Sequence, residues 1–143
     1  ACSVRMRELL VNRARAFIYT TALPPSVIAS SIAALEILQA APEMGAELLR
    51  RAETFRKRLK HAGLDTLRSA SQIIPVVVGG NAKALALAER LRKDGILAVA
   101  IRPPTVPQGS ARLRLSITLD HSEDDLARAA GLIIEAARAE GVI

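Results

Sequence analysis

In this chain of 143 residues, the residues whose type and spacing best suit ligand binding are two arginines in a short alternating segment. The run Ala111-Arg112-Leu113-Arg114-Leu115 has the two-residue period of a β-strand, which predicts both guanidinium groups on one face and both leucines on the other. A guanidinium group matches a carboxylate with two parallel hydrogen bonds, a geometry that lysine cannot reproduce. The segment therefore predicts an anion site, with a solvated arginine face as the alternative.

The loop immediately before this strand is rich in proline. Its sequence is Ile101-Arg102-Pro103-Pro104-Thr105-Val106-Pro107. Each proline fixes its own φ near about −65° and biases the preceding residue toward extended geometry, so the loop has few conformations to lose on folding. We expect side chains on this loop to be held in place beside the arginine strand, which favours a carboxylate-binding site.

A second polar segment lies near the beginning of the chain, in Phe17-Ile18-Tyr19-Thr20-Thr21-Ala22-Leu23-Pro24-Pro25. The two prolines predict the start of a helix, because proline is well tolerated in a first helical turn. Threonine hydroxyls and free amides at the positive end of a helix suit a phosphate dianion. Simple capping of the helix is the alternative role for these threonines.

These two segments, with Ile73-Ile74-Pro75-Val76-Val77-Val78-Gly79 between them, resemble the pyridoxal-phosphate-dependent α-oxoamine synthases over nearly the whole chain. That family condenses an amino acid with an acyl-CoA and releases carbon dioxide. The Ile-Arg-Pro-Pro-Thr-Val-Pro form favours those members that condense L-alanine with a pimeloyl thioester, of CoA or a carrier protein, in biotin biosynthesis. Members that use glycine or serine with another acyl group are the alternative. Ser110 stands where the family often has threonine.

The resemblance implies roles for the residues of the proline loop and the arginine strand. Arg114 matches the arginine that holds the α-carboxylate of the amino-acid substrate. Thr105 lies where the family contacts bound substrate, and Arg102 lies near the path of the acyl substrate. Arg112 is expected to be structural. The resemblance thus implies a substrate-binding set of three residues in this chain.

For the cofactor, pyridoxal 5′-phosphate, the resemblance implies that Thr21, and less directly Thr20, reaches the phosphate bound by a neighbouring subunit. It therefore implies a homodimer with shared active sites. The family's Schiff-base lysine, pyridinium-binding aspartate and ring-stacking histidine belong to a part of the sequence upstream of this segment. The lysines here lie downstream of it, at Lys57, Lys60, Lys83 and Lys93. We therefore expect no catalytic residue in this chain, and no activity from it alone.

Composition excludes several other classes of protein. The formal net charge is +6. The basic residues between 50 and 60 alternate with apolar residues at helical spacing, however, which is typical of the solvent-exposed face of an amphipathic helix. With only two phenylalanines and one tyrosine, stacking platforms for single-stranded nucleic acid are scarce. No apolar run approaches the roughly 20 residues that cross a bilayer. The lone Cys2 excludes an internal disulfide and a cysteine-based zinc site.

We therefore expect a soluble, cytoplasmic protein without a metal, nucleic-acid or membrane partner. A stand-alone module that binds a small carboxylate is the alternative to a piece of an enzyme.

Element order predicts a domain boundary at Pro42. Residues 1–41 read as the end of a large cofactor-binding domain followed by an interdomain helix, and residues 42–143 as a small α+β domain. The order helix, strand, helix, strand, strand, helix predicts a small, largely antiparallel sheet with helices on one face. By resemblance, this is the C-terminal domain of a fold-type I pyridoxal-phosphate enzyme.

Several local structures are also predicted. Ser3 and Ser122 are expected to cap helices, and Asn81 to cap a third. Residues 16–20 are expected to be extended, and residues 26–40 to form an apolar helix that needs cover from another surface.

Overall fold

The computed structural model describes residues 2–143. The chain divides into two compact units, Ala1–Pro42 and Glu43–Ile143, and each is described by itself below. Among the described residues no single helix is long and apolar enough to cross a membrane.

The first unit consists of helices and contains no buried residue among residues 2–42. Its elements are α1 (Val4–Arg13), α2 (Arg15–Ile18) and α3 (Pro25–Ala40). As predicted, the Ser3 hydroxyl caps α1, accepting a hydrogen bond from the Met6 amide at 3.2 Å. Pro25 occupies the first turn of α3, also as predicted.

Helix α3 is apolar on most sides, as predicted, yet its large side chains are exposed. Val27 is 45% exposed, Ile32 51% and Leu35 58%. A helix that is hydrophobic on all sides is normally buried, and a contiguous apolar surface of this kind marks a contact site. The exposed surface of α3 therefore requires cover from another part of the protein or from another chain.

The expectation of an extended segment at residues 16–20 is wrong. Residues Arg15–Ile18 form the short helix α2, in which the Ile18 amide donates to the Ala14 carbonyl at 3.0 Å and the Tyr19 amide donates to the Arg15 carbonyl at 3.0 Å. A short apolar run does not distinguish a strand from a helix by its period alone. Local hydrogen bonds decide the conformation here, since no described strand pairs with this segment.

The second unit is an α+β layer in which three helices cover one face of a three-stranded antiparallel sheet. The strands are arranged in the order β1-β3-β2. The elements, in chain order, are α4 (Met44–His61), β1 (Ile73–Gly79), α5 (Asn81–Lys93), β2 (Val99–Ile101), β3 (Ala111–Ser116) and α6 (Glu123–Ala139). This confirms the predicted fold class.

The core lies between the sheet and the helices and is built almost entirely from aliphatic side chains. Its largest fully buried apolar members come from the three helices of this unit and from β1 and β3: Leu59, Ile74, Val76, Leu87, Leu91, Leu113 and Ile133. Because strand side chains alternate, the opposite face of the sheet carries the remaining residues of β1, β2 and β3. None of the three helices of this unit covers that face, which is where Arg112 and Arg114 lie.

One predicted cap is confirmed and one is wrong. The Ser122 hydroxyl accepts from the Asp125 amide at 3.0 Å and caps α6. The cap of α5 is Gly80, which makes no side-chain bond, and Asn81 is the first residue inside the helix. Glycine is also accepted at this position, so the sequence Gly79-Gly80-Asn81 admits two neighbouring starts.

A charged network joins α4 to the segment that precedes α6. Arg51 donates to Glu47 at 2.6 Å and to the carbonyls of Leu119 at 3.0 Å and His121 at 2.9 Å. Arg50 contacts the same carboxylate, through its Nε atom at 2.7 Å. The hydrogen bonds from these two arginines lower the pKa of Glu47 from 4.5 to about 2.

This pKa shift predicts how the stability of the chain depends on pH. Glu47 has a lower pKa in the folded chain than in the unfolded one, so its stabilisation is present above about pH 4.5 and is lost as the pH falls toward about 2. Glu47→Gln should lower the urea midpoint at neutral pH and flatten its acid dependence. The control is Glu135→Gln, an exposed residue on α6 without an ion pair among residues 2–143. If both variants kept the wild-type acid dependence, the Glu47 network would not be a stabilising contact.

Candidate carboxylate and phosphate sites

Arg114 lies near the middle of β3 on the helix-free face of the sheet. Its neighbours in the sheet register are Pro75 on β1 and Val99 on β2. The adjacent Leu113 and Leu115 point the opposite way, into the core. A slip of one residue would move the leucines to the open face, so burial of these two side chains fixes the orientation of Arg114.

The guanidinium group of Arg114 is exposed, and it makes no hydrogen bond or ion pair with any of residues 2–143. It therefore has all of its donors available for a ligand. The two residues that flank it across the sheet are apolar and offer no competing acceptor side chain. This geometry permits the two parallel hydrogen bonds that a carboxylate accepts from an arginine.

Arg112 is on the same face as Arg114, as the alternation predicts, but its side chain is engaged. It donates from Nε to the Ser110 carbonyl at 3.1 Å and from Nη2 to the Ser110 hydroxyl at 3.3 Å. This is the structural use expected of Arg112. Of the two arginines on this face, only Arg114 is free of bonds to the rest of the described chain.

Arg102 and Thr105 lie at the beginning of the loop that joins β2 to β3, and both are exposed. The Thr105 amide donates to the Arg102 carbonyl at 3.1 Å, which closes a turn around the cis peptide bond between Pro103 and Pro104. This local bond fixes the two residues relative to each other.

The sheet register gives the spacing between the two candidate arginines. Val99 pairs with Arg114, and Arg102 follows three residues after Val99. At about 3.4 Å per residue and about 4.8 Å between strands, their Cα atoms are roughly 11 Å apart. Arg102 and Thr105 follow the end of β2, whereas Arg114 pairs with its first residue, and no hydrogen bond joins Arg114 to either of them among the described residues.

Thr20 and Thr21 belong to the first unit and precede α3. Both are exposed. The Thr20 hydroxyl makes a long contact of 3.5 Å to the Thr21 carbonyl, and no hydrogen bond of the Thr21 hydroxyl is found among residues 2–143. The N-cap of α3 is Pro24, and no side chain caps it. The alternative role of these threonines, capping of the helix, is therefore not the one that the structure shows.

The start of α3 offers few backbone donors to an anion. Pro24 and Pro25 have no N–H group. The amides of Val27 and Ile28 both donate to the Pro24 carbonyl. An anion at this helix start would consequently depend on the threonine hydroxyls more than on free amides, which sharpens the prediction made from the sequence.

The sequence reading missed a contribution from Ser110. Its amide and its hydroxyl both donate to the Pro107 carbonyl, at 3.2 and 2.7 Å. Gly109, at φ +73°, makes the tight turn from Pro107 to Ser110 possible. The sequence signal for this turn is Pro107 followed two residues later by Gly109. No sequence pattern predicts the hydrogen bonds from Arg112 to Ser110.

Comparison with known proteins places this fold and these residues in a family. The chain belongs to the aminotransferase class I and II family, whose model matches residues 1–133. Within that family it is similar to the 8-amino-7-oxononanoate synthase of Geobacter metallireducens, with 42% identity over 146 residues that cover 100% of this chain and 37% of the relative. The chain spans about a third of the length of the curated relatives it matches.

Two solved structures support the same assignment. Serine palmitoyltransferase of Sphingomonas wittichii superposes with a TM-score of 0.84 and 31% identity, covering 98% of this chain and 36% of that one. The 8-amino-7-oxononanoate synthase of Francisella tularensis superposes with a TM-score of 0.76 and 25% identity, covering 99% and 41%. These relatives are pyridoxal phosphate enzymes.

The residues of this chain fit one part of that cofactor, its phosphate. The free hydroxyl of Thr21 and the adjacent Thr20 are suitable donors to a phosphate oxygen. The lysines do not form a comparable site for the aldehyde. All four are exposed on α4 or α5, and Lys83 donates to the Gly141 carbonyl at 3.0 Å.

Proposed function

We propose that this chain is the C-terminal part of a pyridoxal-phosphate-dependent acyltransferase that makes 8-amino-7-oxononanoate in biotin biosynthesis. Its substrates would be L-alanine and a pimeloyl thioester of CoA or a carrier protein, joined with loss of carbon dioxide. The observation that carries this proposal is the free guanidinium of Arg114 on the open face of β3, within a motif that matches the family. The similarity to named 8-amino-7-oxononanoate synthases supports it.

In this proposal Arg114 binds the α-carboxylate of alanine and sets the orientation of the substrate. The bond that will break must stand perpendicular to the cofactor ring, which when bound supplies an electron sink for the resulting charge. A planar guanidinium holding a carboxylate through two bonds restricts rotation of the substrate, which is the property this role requires. Thr105 contacts the bound substrate, and Arg102 lies along the acyl path.

Thr21 and Thr20 donate to the cofactor phosphate of a neighbouring subunit in a cytoplasmic homodimer, according to the same proposal. Each active site would then use residues of two chains. The exposed apolar surface of α3, which follows these threonines directly, supports the need for such a partner.

A second function of the same class is favoured by one observation. The TM-score to serine palmitoyltransferase, 0.84, exceeds that to the solved 8-amino-7-oxononanoate synthase, 0.76. An α-oxoamine synthase that uses serine or glycine with another acyl-CoA is therefore the competing candidate. Product analysis of the full-length enzyme with alanine, serine and glycine in parallel would separate the two.

We predict that this chain alone is catalytically silent, because its lysines lie outside the family's Schiff-base context. After incubation with pyridoxal phosphate and gel filtration, no stoichiometric cofactor absorbance should remain. A full-length 8-amino-7-oxononanoate synthase treated identically is the positive control. A borohydride-trapped adduct at a single lysine, together with turnover of alanine and acyl-CoA, would contradict the prediction.

In a full-length enzyme that carries this segment, Arg114→Ala should weaken binding of the amino acid by about 2 to 5 kcal/mol, because the carboxylate loses a charge-assisted, paired contact. Affinity for the cofactor should change far less. Arg114→Lys is the matched control and should restore only part of the loss, since an ammonium group lacks the planar fork. Spectroscopic titration with alanine measures the effect, and an unchanged alanine affinity in Arg114→Ala would show that the assignment is wrong.

Thr21→Ala should weaken retention of the cofactor by about 1.5 to 3 kcal/mol, the range for a hydrogen bond to a charged group. Its action across subunits is tested by mixing full-length Thr21→Ala subunits with subunits that lack the Schiff-base lysine. In a mixed dimer one pocket carries both defects and the other carries neither, so activity should return to about half that of the wild-type dimer. Verified mixed dimers that stay inactive would place Thr21 in the pocket of its own subunit.

A further inference from the structure

Arg112 is connected to the proline loop by a chain of hydrogen bonds that begins at its side chain. Its guanidinium donates to the carbonyl and the hydroxyl of Ser110, and the Ser110 amide and hydroxyl in turn donate to the Pro107 carbonyl. Two hydrogen bonds therefore join Arg112 to Ser110, at the end of the loop, and two more join Ser110 to Pro107 within the loop. An arginine on an exposed strand face is usually solvated, so this arrangement requires an explanation.

The position of Arg112 in the sheet explains why these bonds constrain the whole loop. Its Cα partner is Ile101, the last residue of β2. The loop therefore leaves the sheet beside Arg112 and returns to it at Ala111, immediately before Arg112. Arg112 is therefore paired through its backbone with Ile101, just before the loop, and bonded through its side chain to Ser110, the last residue of the loop.

The loop that is held in this way carries two of the three proposed substrate contacts. Arg102 and Thr105 are joined to each other by the turn at 3.1 Å. Among residues 2–143, the only side-chain hydrogen bonds between the sheet and this loop are the two from Arg112 to Ser110. Loss of the Arg112 bonds would leave the prolines, the two turns and the backbone pairing at the ends of the loop, but no side-chain bond from the sheet to the loop.

We propose that Arg112 is a positioning residue, which fixes the loop of residues 102–110 against the sheet and thereby sets Arg102 and Thr105 relative to Arg114. The inference deepens the proposed function and rests on it for its consequence in catalysis. Its structural part is a property of this chain alone and can be tested separately.

Hydrogen exchange in the 143-residue chain tests the structural part. Arg112→Met keeps an unbranched apolar side chain and removes every donor. Arg114→Met is the matched control, because it changes the same kind of residue on the same face without removing a bond to the loop. Exchange of the Thr105 and Ser110 amides should become about tenfold faster in Arg112→Met only, since a bond to a charged donor holds the loop closed. Exchange within the β1–β3 ladder should not change.

Two results would overturn the positioning role. One is equal exchange of the loop amides in Arg112→Met and the wild type. The other is faster exchange of the loop and the strands together with a lower urea midpoint, which would make Arg112 a general contributor to stability. Ser110→Thr, which keeps the hydroxyl, should retain the slow exchange of the loop. Ser110→Ala, which keeps only the carbonyl acceptor, should fall between the wild type and Arg112→Met.

Kinetics of the full-length enzyme test the consequence for catalysis. Arg112→Met should lower kcat/KM about tenfold while cofactor retention stays unchanged, and Ser110→Thr should keep the wild-type value. If Arg114→Ala leaves alanine binding intact, the proposed function fails, whatever the loop exchange shows. If Arg114→Ala behaves as expected and Arg112→Met frees the loop without a kinetic effect, the positioning role fails and the proposed function stands.

Discussion

Burial of Leu113 and Leu115 is the constraint on which the candidate site depends. These side chains belong to the aliphatic core beneath the helices, and their alternation with Arg112 and Arg114 places both arginines on the opposite face. The core therefore specifies the register of β3, and the register specifies which side chains meet across the sheet. This register places Arg114 between Pro75 and Val99, which are apolar, and places Arg112 opposite Ile101, where the loop begins. The core thus positions both arginines through the strand that carries them.

The helices contribute to the site indirectly, by holding the sheet rigid from behind. The network of Glu47 and Arg51 joins α4 to the segment after β3, and the Ser122 cap starts α6 immediately afterwards. Both ends of β3 are thus fixed, one by this network and the other by the Arg112 and Ser110 bonds. Five of the twelve arginines in this unit donate to carboxylates, backbone carbonyls or a hydroxyl: Arg50, Arg51, Arg56, Arg92 and Arg112. The other seven make no side-chain hydrogen bond among the described residues, so Arg114 is distinguished by its place in the sheet rather than by being unbonded.

Sequence reasoning succeeded where one physical signal had no competitor. The alternation at residues 111–115, the proline start of α3 and the Ser122 cap each follow from periodicity or local chemistry, and the structure has them. It failed at residues 15–18, where a short apolar run fits two conformations, and at Asn81, where an adjacent glycine is an equally acceptable cap. The bonds from Arg112 to Ser110 were out of reach because side-chain direction at a loop depends on the complete fold. The roles of Arg114 and Thr21 came from resemblance, and they stay predictions.

The exposure of the candidate residues explains why the proposed site needs a further surface. An arginine pair with a carboxylate in water contributes about 0 to 1 kcal/mol, whereas the same pair gains strength when water is excluded. Arg114 is exposed, although Pro75 and Val99 on either side are apolar enough to face a dry interior. At the start of α3, Thr21 is equally exposed and the prolines remove backbone donors that would otherwise hold a phosphate. Each half of the chain thus presents a polar group of the right chemistry beside uncovered apolar surface, and the affinity of both groups for their ligands depends on what covers that surface.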